Sequence, residues 1–162
     1  MLYQRILTAI PLAAFVGWII FFQPTAVFFY FLLFIIMISG YEWARLAGVK
    51  IFSLRIVFAC LVTFAVWALQ RYASEYTLWA IYVAALWWFA TTYYLKFATP
   101  KAESAELKPA KLFIAFIILP AAAFAMQQIH ALSQGADWLF YALSLVWVAD
   151  IGAYFSGKKF GK

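Results

Sequence analysis

The amino-acid sequence predicts an all-α, polytopic membrane protein of about six transmembrane helices. Three observations predict this fold class. Of the 162 residues, 69% are hydrophobic and only 11% are charged, whereas soluble domains carry about 25% charged residues. The apolar residues occur in long uninterrupted runs. The basic residues flank these runs and do not form a separate soluble surface. Lipid is therefore the expected solvent for most of the chain.

Six apolar runs define the predicted spans. Backbone amides within hydrocarbon must be hydrogen-bonded inside the chain, and about 20 helical residues cross the hydrocarbon core. The second run is short, so we expect its helix to continue into Gly40–Glu42. The first run ends in the bulky residues Phe21 and Phe22, which argues against signal cleavage there, and Gln23-Pro24 predicts a tight turn. The runs are Ile6–Phe22, Thr25–Ser39, Ile51–Leu69, Leu78–Leu95, Leu112–Ile129 and Trp138–Phe155.

The distribution of Lys and Arg predicts the orientation. One side of the predicted spans carries eleven of the twelve basic residues, and the other side carries only Arg71. Cytoplasmic loops carry the Lys and Arg excess, so both termini are predicted on the cytoplasmic side of the bilayer. A net charge of +6 can indicate nucleic-acid binding, but basic residues beside spans favour topology, so no nucleic-acid partner is expected. Residues 1–162 are predicted to form a single transmembrane domain.

Asp150 is the one acidic residue inside an apolar run. A carboxylate at membrane depth costs several kcal/mol and marks a functional site by default. We therefore expect Asp150 to face the protein interior in the cytoplasmic half of the last span. Tyr154 and Gly157 project to the same side, and Ala149, Ala153 and Gly157 form a spacing of four that favours close helix packing. The alternative is a structural Asp that bonds a neighbouring helix.

A basic, glycine-containing segment follows Asp150. Lys158, Lys159 and Lys162 lie beside Gly157 and Gly161. Ammonium groups and flexible glycines next to a membrane carboxylate suggest a site for a phosphate-bearing substrate and a metal ion. The spacing is not that of a Walker A loop, which has four residues between its glycines and follows a strand. The alternative is a positive-inside anchor that pairs with anionic lipids.

Three other features suggest structural roles. Glu42 and Arg45 are three residues apart, so a local ion pair is expected. His130 follows the fifth run without a second ligand nearby, which favours an interfacial residue over a metal ligand. Cys60 lies within an apolar run and is the only cysteine, so it is expected to be a small buried side chain and cannot form a disulfide within the chain.

The C-terminal residues resemble a known family. The stretch Trp147 to Lys162 closely resembles the W-x-A-D-x-G-A-Y-x-x-G-x-x-F-G-K motif of bacterial phosphatidate cytidylyltransferases. Arg5 and Thr8 near the first run, and Glu42-Trp43 after the second, are also similar to that family. The likeness is specific in the C-terminal stretch and diffuse before it.

The resemblance implies a multi-pass enzyme of the bacterial cytoplasmic membrane that transfers CMP from CTP to phosphatidate, releases pyrophosphate and requires Mg²⁺. It implies that Asp150 is a catalytic residue and a metal ligand. The substrate-binding residues that it implies are Lys158, Lys159, Lys162, Tyr154 and Gly157. Members of the family have further helices and metal-binding aspartates beyond the position of Lys162. We therefore expect an incomplete domain with little or no activity alone, and a homodimer remains open.

Two other functions compete with this interpretation. A non-enzymatic transporter or transporter subunit would use Asp150 for ion or proton coupling, independently of CTP. A different CTP-using transferase would act on a polyprenol or another lipid acceptor.

Overall fold

The computed structural model describes the backbone of residues 2–97 and 108–161, and the side chains of residues 7–97, 108–159 and 161. This part of the chain contains six α-helices and a short 3-10 turn at Ser74–Tyr76. The helices are α1 (Leu2–Phe22), α2 (Thr25–Leu46), α3 (Phe52–Tyr72), α4 (Thr77–Phe97), α5 (Pro109–His130) and α6 (Gly135–Phe160). The predicted all-α fold of six helices is confirmed.

The helices extend beyond the apolar runs that predicted them. The α2 helix continues to Leu46, past the expected end near Glu42, and α6 continues to Phe160. Hydrophobicity marks only the part of a helix that suits hydrocarbon, while the helix itself can continue into polar surroundings. The Glu42 carboxylate and the Arg45 guanidinium form the predicted ion pair within this extension, with an N–O distance of 2.6 Å.

Five helices, α2 to α6, are long and apolar enough to cross a membrane. The chain is therefore a multi-pass membrane protein. The apolar part of α1 with described side chains, Leu7–Phe22, is shorter than these five. The alternation of basic residues from α2 onward does not depend on whether α1 crosses the bilayer.

The central unit comprises residues 29–125. Its core joins α2, α3 and α5, and α5 continues through the buried Pro120. The helices α2 and α3 approach closely at Gly40, where an added Cβ would lie 3.1 Å from the Cα of Ala59. The buried core residues are Phe29, Ile36, Val62, Val66, Ala115, Leu119, Ala123 and Phe124.

Two hydrogen bonds hold the start of α5 against the end of α2 in this unit. The indole N–H of Trp43 donates to the carbonyl of Lys111 over 2.7 Å. The backbone N–H of Lys108 donates to the carbonyl of Ala47 over 2.8 Å. The Glu42-Trp43 pair, noted above for its family likeness, thus includes a residue that fixes one helix end to another.

Cys60 corrects one prediction from the sequence. Its side chain is exposed on α3 and not buried. Lipid tails are as apolar as a protein core, so membership of an apolar run does not distinguish a lipid-facing side chain from a core side chain.

The terminal unit comprises residues 1–28 and 126–162. It contains α1, the first residues of α2, the last residues of α5, and α6. Ile20, Phe28 and Leu139 are almost fully buried. The rings of Phe21 in α1 and Phe140 in α6 lie 5.4 Å apart between centroids. The candidate site residues on α6 belong to this unit.

Candidate functional site

Five of the six predicted site residues lie on one helix. Asp150, Tyr154, Gly157, Lys158 and Lys159 all belong to α6, which has 26 residues. The sixth, Lys162, lies outside the described residues. The helix therefore sets the spacing and the angles of the candidate site.

The turn of the helix separates the two lysines. At about 100° per residue, Gly157 lies within about 20° of Asp150 and Tyr154 within about 40°. On the same basis Lys158 lies about 80° around the helix, while Lys159 lies on the opposite side, at about 180°. Lys158 is also about 12 Å further along the axis. The structure thus places Asp150, Tyr154 and Gly157 on one face, which we call the Asp150 face, with Lys158 at its edge.

Gly157 corrects a second prediction. It was expected to be a flexible position after the last span, but it lies inside α6, where its carbonyl accepts a hydrogen bond from the N–H of Gly161 over 2.9 Å. A single glycine costs a helix only about 1 kcal/mol relative to alanine, which does not end a helix of this length. A Cβ added at Gly157 would meet nothing within 4 Å. The glycine therefore leaves an open notch on the Asp150 face.

Asp150 corrects a third prediction. The sequence suggested that its carboxylate faces the protein interior, but the side chain is exposed. Ala149 and Ala153, the small residues beside Asp150, are also exposed. No described helix of the terminal unit covers this small-residue face. The prediction assumed a packing partner, and sequence spacing alone cannot show where that partner is.

The described residues offer one candidate oxygen ligand for a metal ion. Among them there is no group of three or more His, Cys, Asp or Glu side chains that could hold a metal ion. Mg²⁺ is commonly bound through one or two carboxylates, with water and substrate phosphates completing its six oxygen ligands. The exposed carboxylate of Asp150 fits this chemistry as one ligand, since it is a hard oxygen donor with open space beside it.

His130 makes more contacts than its interfacial position in the sequence predicts. The ring is half-buried at the end of α5, and both of its nitrogens lie within hydrogen-bond distance of oxygen atoms in the terminal unit. Its partners are more than 100 positions away in the sequence. The available signal was Pro24, whose missing N–H leaves a carbonyl of α1 without its usual partner.

Comparison with known proteins identifies the family. The profile of the cytidylyltransferase family matches residues 3–162. The chain belongs to this family. The predicted resemblance is confirmed at this level.

A curated relative shares the whole length of the chain. The phosphatidate cytidylyltransferase of Pseudomonas aeruginosa is 32% identical over 165 aligned residues, which cover 100% of this chain and 59% of the relative. The chain thus spans less than two thirds of the length of this relative. No solved structure matches the chain. The family assignment therefore rests on sequence similarity, and the geometry of the candidate site comes from α6 of this structure alone.

Proposed function

We propose that this chain is the amino-terminal membrane portion of a phosphatidate cytidylyltransferase, which transfers CMP from CTP to phosphatidate. The observation that carries the proposal is the stretch Trp147–Lys162, which lies within the family match and presents Asp150 on an exposed helix face. The name of the Pseudomonas aeruginosa relative supports the same substrates.

The proposed reaction is a phosphoryl substitution. An oxygen of the phosphatidate phosphate attacks the α-phosphorus of CTP, a new P–O bond forms, and the bond to the β-phosphate breaks to release pyrophosphate. Two anionic substrates must approach each other, so catalysis depends on positioning and on neutralising charge around phosphorus. Bound Mg²⁺ would supply much of that neutralisation.

The residues of α6 have distinct proposed roles. Asp150 would hold Mg²⁺ and through it the nucleotide phosphates. Lys158, at the edge of the Asp150 face, would contact substrate phosphates directly, as would Lys162, whereas Lys159, on the opposite side of α6, would contribute only through its charge. Gly157 would leave room for a substrate next to Asp150, and Tyr154 would line the same space. The remaining ligands of the metal would come from other parts of the enzyme.

The proposed location is the cytoplasmic membrane of a bacterium. The basic residues at the end of α6 lie on the side that carries eleven of the twelve Lys and Arg residues. The positive-inside rule assigns that side to the cytoplasm, where CTP is present. The charge distribution supports this location independently of the family match.

The test is an assay of a longer form of the protein that includes the remaining length of its relatives. Membranes containing it should convert CTP and phosphatidate to CDP-diacylglycerol and pyrophosphate. Asp150→Asn should reduce kcat by about 100-fold or more, because it removes the charge that holds the metal. Asp137→Asn is the matched control, since Asp137 is also an exposed carboxylate on α6 but lies in its first turn.

Three outcomes would contradict the proposal in whole or in part. An Asp150→Asn enzyme with an unchanged rate would remove Asp150 from the chemistry. If a polyprenol phosphate or another lipid replaced phosphatidate as the preferred acceptor in a competition assay, the substrate would be wrong while the CTP chemistry remained. Ion transport by the protein in proteoliposomes, independent of CTP, would favour the transporter interpretation.

A further inference from the structure

A buried carbonyl at the end of α1 lacks its usual partner. In a continuing helix the carbonyl of Ile20 would accept a hydrogen bond from the N–H of residue 24, but residue 24 is proline. The preceding carbonyl, of Ile19, accepts from the N–H of Gln23 over 3.3 Å. Ile20 is only 1% exposed, so water has little access to this group. A buried carbonyl in this position requires another donor.

His130 supplies that donor. Its Nε2 lies 3.0 Å from the carbonyl oxygen of Ile20, and its Nδ1 lies 3.0 Å from the hydroxyl of Thr25. The ring also stacks on Phe28, with centroids 4.4 Å apart and planes inclined by 9°. The imidazole therefore joins the ends of three helices, since Ile20 belongs to α1, Thr25 and Phe28 to α2, and His130 to α5. We call these four residues the His130 clasp.

The partners determine which ring nitrogen carries hydrogen. A carbonyl oxygen only accepts hydrogen bonds, so Nε2 must be protonated to bond Ile20. In the neutral ring Nδ1 then has a lone pair, and the hydroxyl of Thr25 donates to it. The geometry selects the Nε2–H tautomer whenever the imidazole is neutral.

The connection between α5 and α6 is short, and the first residue of α6 packs tightly against the backbone at the end of α5. Only residues 131–134 separate the two helices. A Cβ added at Gly135 would lie 2.1 Å from the carbonyl oxygen of Ile129 and 2.6 Å from that of His130. Glycine is therefore required where α6 begins, and the backbone at His130 and the first residue of α6 are held together.

We propose that His130 is a positioning residue for α6. By holding the end of α5 against α1 and α2, the His130 clasp determines where α6 starts and in which direction it runs. Asp150 lies roughly 22 Å along α6 from Gly135, so a small tilt at the clasp produces a large displacement at the Asp150 face. The role of the clasp in catalysis rests on the proposed function, but its effect on α6 does not.

The first experiment uses the fact that His130 is the only histidine in the chain. The chain is labelled with 15N-histidine, reconstituted in lipid nanodiscs and studied by NMR at a pH where the ring is neutral. We expect one set of imidazole signals, with a protonated Nε2 and an unprotonated Nδ1. Thr25→Val should shift the Nδ1 signal, since it removes the donor to that nitrogen. A wild-type ring in the Nδ1–H form would overturn the proposal.

The second experiment measures the position of α6. Cys60 is replaced by Ser, and spin labels are placed at Leu12→Cys in α1 and Val148→Cys in α6, both exposed positions of the terminal unit. We expect a narrow distance distribution that broadens in His130→Ala. His130→Gln, whose amide can also donate to Ile20, should restore a narrow distribution.

The matched control for the distance measurement is Gln134→Ala. Gln134 is exposed and makes no side-chain hydrogen bond as the N-cap of α6. It should leave the distribution unchanged. If His130→Ala also left it unchanged, the clasp would not position α6. If His130→Ala did not fold, the wild-type tautomer and the His130→Gln distances would still decide the matter.

In the longer enzyme, His130→Ala should lower kcat on the order of 10- to 100-fold with little change in KM, and His130→Gln should recover part of the rate. The two proposals fail separately. Suppose that the wild-type ring is the Nε2–H tautomer and that His130→Ala broadens the distance distribution, but that the longer enzyme has no CTP-dependent activity. That result would support the His130 clasp and contradict only the proposed function.

Discussion

Helices α4 and α6 are the two candidate spans that bury the smallest share of their residues. In the most apolar stretch of each helix, only 6% of the residues are buried. Their exposed surfaces differ in chemistry. The α4 surface is bulky and aromatic, and it has no charged residue before Lys96. The α6 surface has a carboxylate, one glycine and two alanines on or beside the Asp150 face. The two helices are therefore equally exposed, but their exposed surfaces suit different surroundings.

The difference follows from the solvent that each surface can accept. Large apolar side chains suit lipid tails, whereas a carboxylate in lipid costs several kcal/mol. Glycines on a lipid-facing surface would also gain nothing, since small residues are enriched where backbones approach another group closely. We therefore expect the α4 surface to face lipid, and the Asp150 face to be the side of α6 that meets water, substrate or protein.

The largest expected effect comes from placing an α6-type charge on α4. Leu86 lies near the centre of α4 and is 69% exposed. Leu86→Asp should make insertion of this span less favourable by about 3 kcal/mol, because it puts a carboxylate into hydrocarbon. Glycosylation mapping of α4 in microsomes measures this cost, with Leu86→Met as the neutral control. Normal insertion of Leu86→Asp would show that the α4 surface does not face lipid.

How much of this arrangement the sequence predicts depends on the kind of information required. The number and order of the helices follow from the apolar runs, since a span must be long and apolar whatever surrounds it. The angular position of a residue relative to its neighbours requires the folded chain. Asp150 and Cys60 were therefore both assigned to the interior incorrectly, and Gly157 was assigned to a flexible segment because the end of α6 was estimated from hydrophobicity.

Long-range hydrogen bonds also could not be predicted from the sequence. The indole of Trp43 and the carbonyl of Lys111 are 68 positions apart, and no local pattern relates them. His130 showed a partial signal, because a proline four residues after Ile20 reveals an unpaired carbonyl. The identity of its donor still depended on how α5 returns to α1. The family motif, by contrast, was readable directly because its residues are contiguous.

The second prediction concerns a larger side chain on each surface, for which we expect an effect of intermediate size. Gly157→Leu on α6 and Ala85→Leu on α4 both add an apolar side chain at an exposed position. Neither should lower the thermal stability of this chain measurably, since a Cβ at Gly157 meets nothing within 4 Å and Ala85 is exposed on α4. In the longer enzyme, Gly157→Leu should reduce kcat/KM by about 10-fold or more by filling the space beside Asp150.

Ala85→Leu should leave the activity of the longer enzyme unchanged, which makes it the matched control for added volume. Thermal unfolding in detergent and the CTP-dependent assay measure the two effects. Equal activities for the two variants would mean that the Asp150 face accepts bulk as freely as the lipid-facing surface does, and the contrast between the helices would then lose its functional meaning.

The smallest expected effect distinguishes the two sides of α6 itself. Lys158 lies about 80° from Asp150 around the helix and Lys159 about 180°. Lys158→Gln should raise the KM for CTP by roughly 3- to 10-fold, the loss expected for one partly solvated contact between an ammonium group and a phosphate. Lys159→Gln should change the KM for CTP by less than about twofold, because its charge is screened at that distance.

Both variants remove one positive charge at nearly the same depth, so a general change in the attraction to anionic lipids would affect them equally. Equal KM values would therefore indicate that the lysines act through the membrane surface, and a larger effect of Lys159→Gln would show that the nucleotide approaches α6 from the side opposite Asp150.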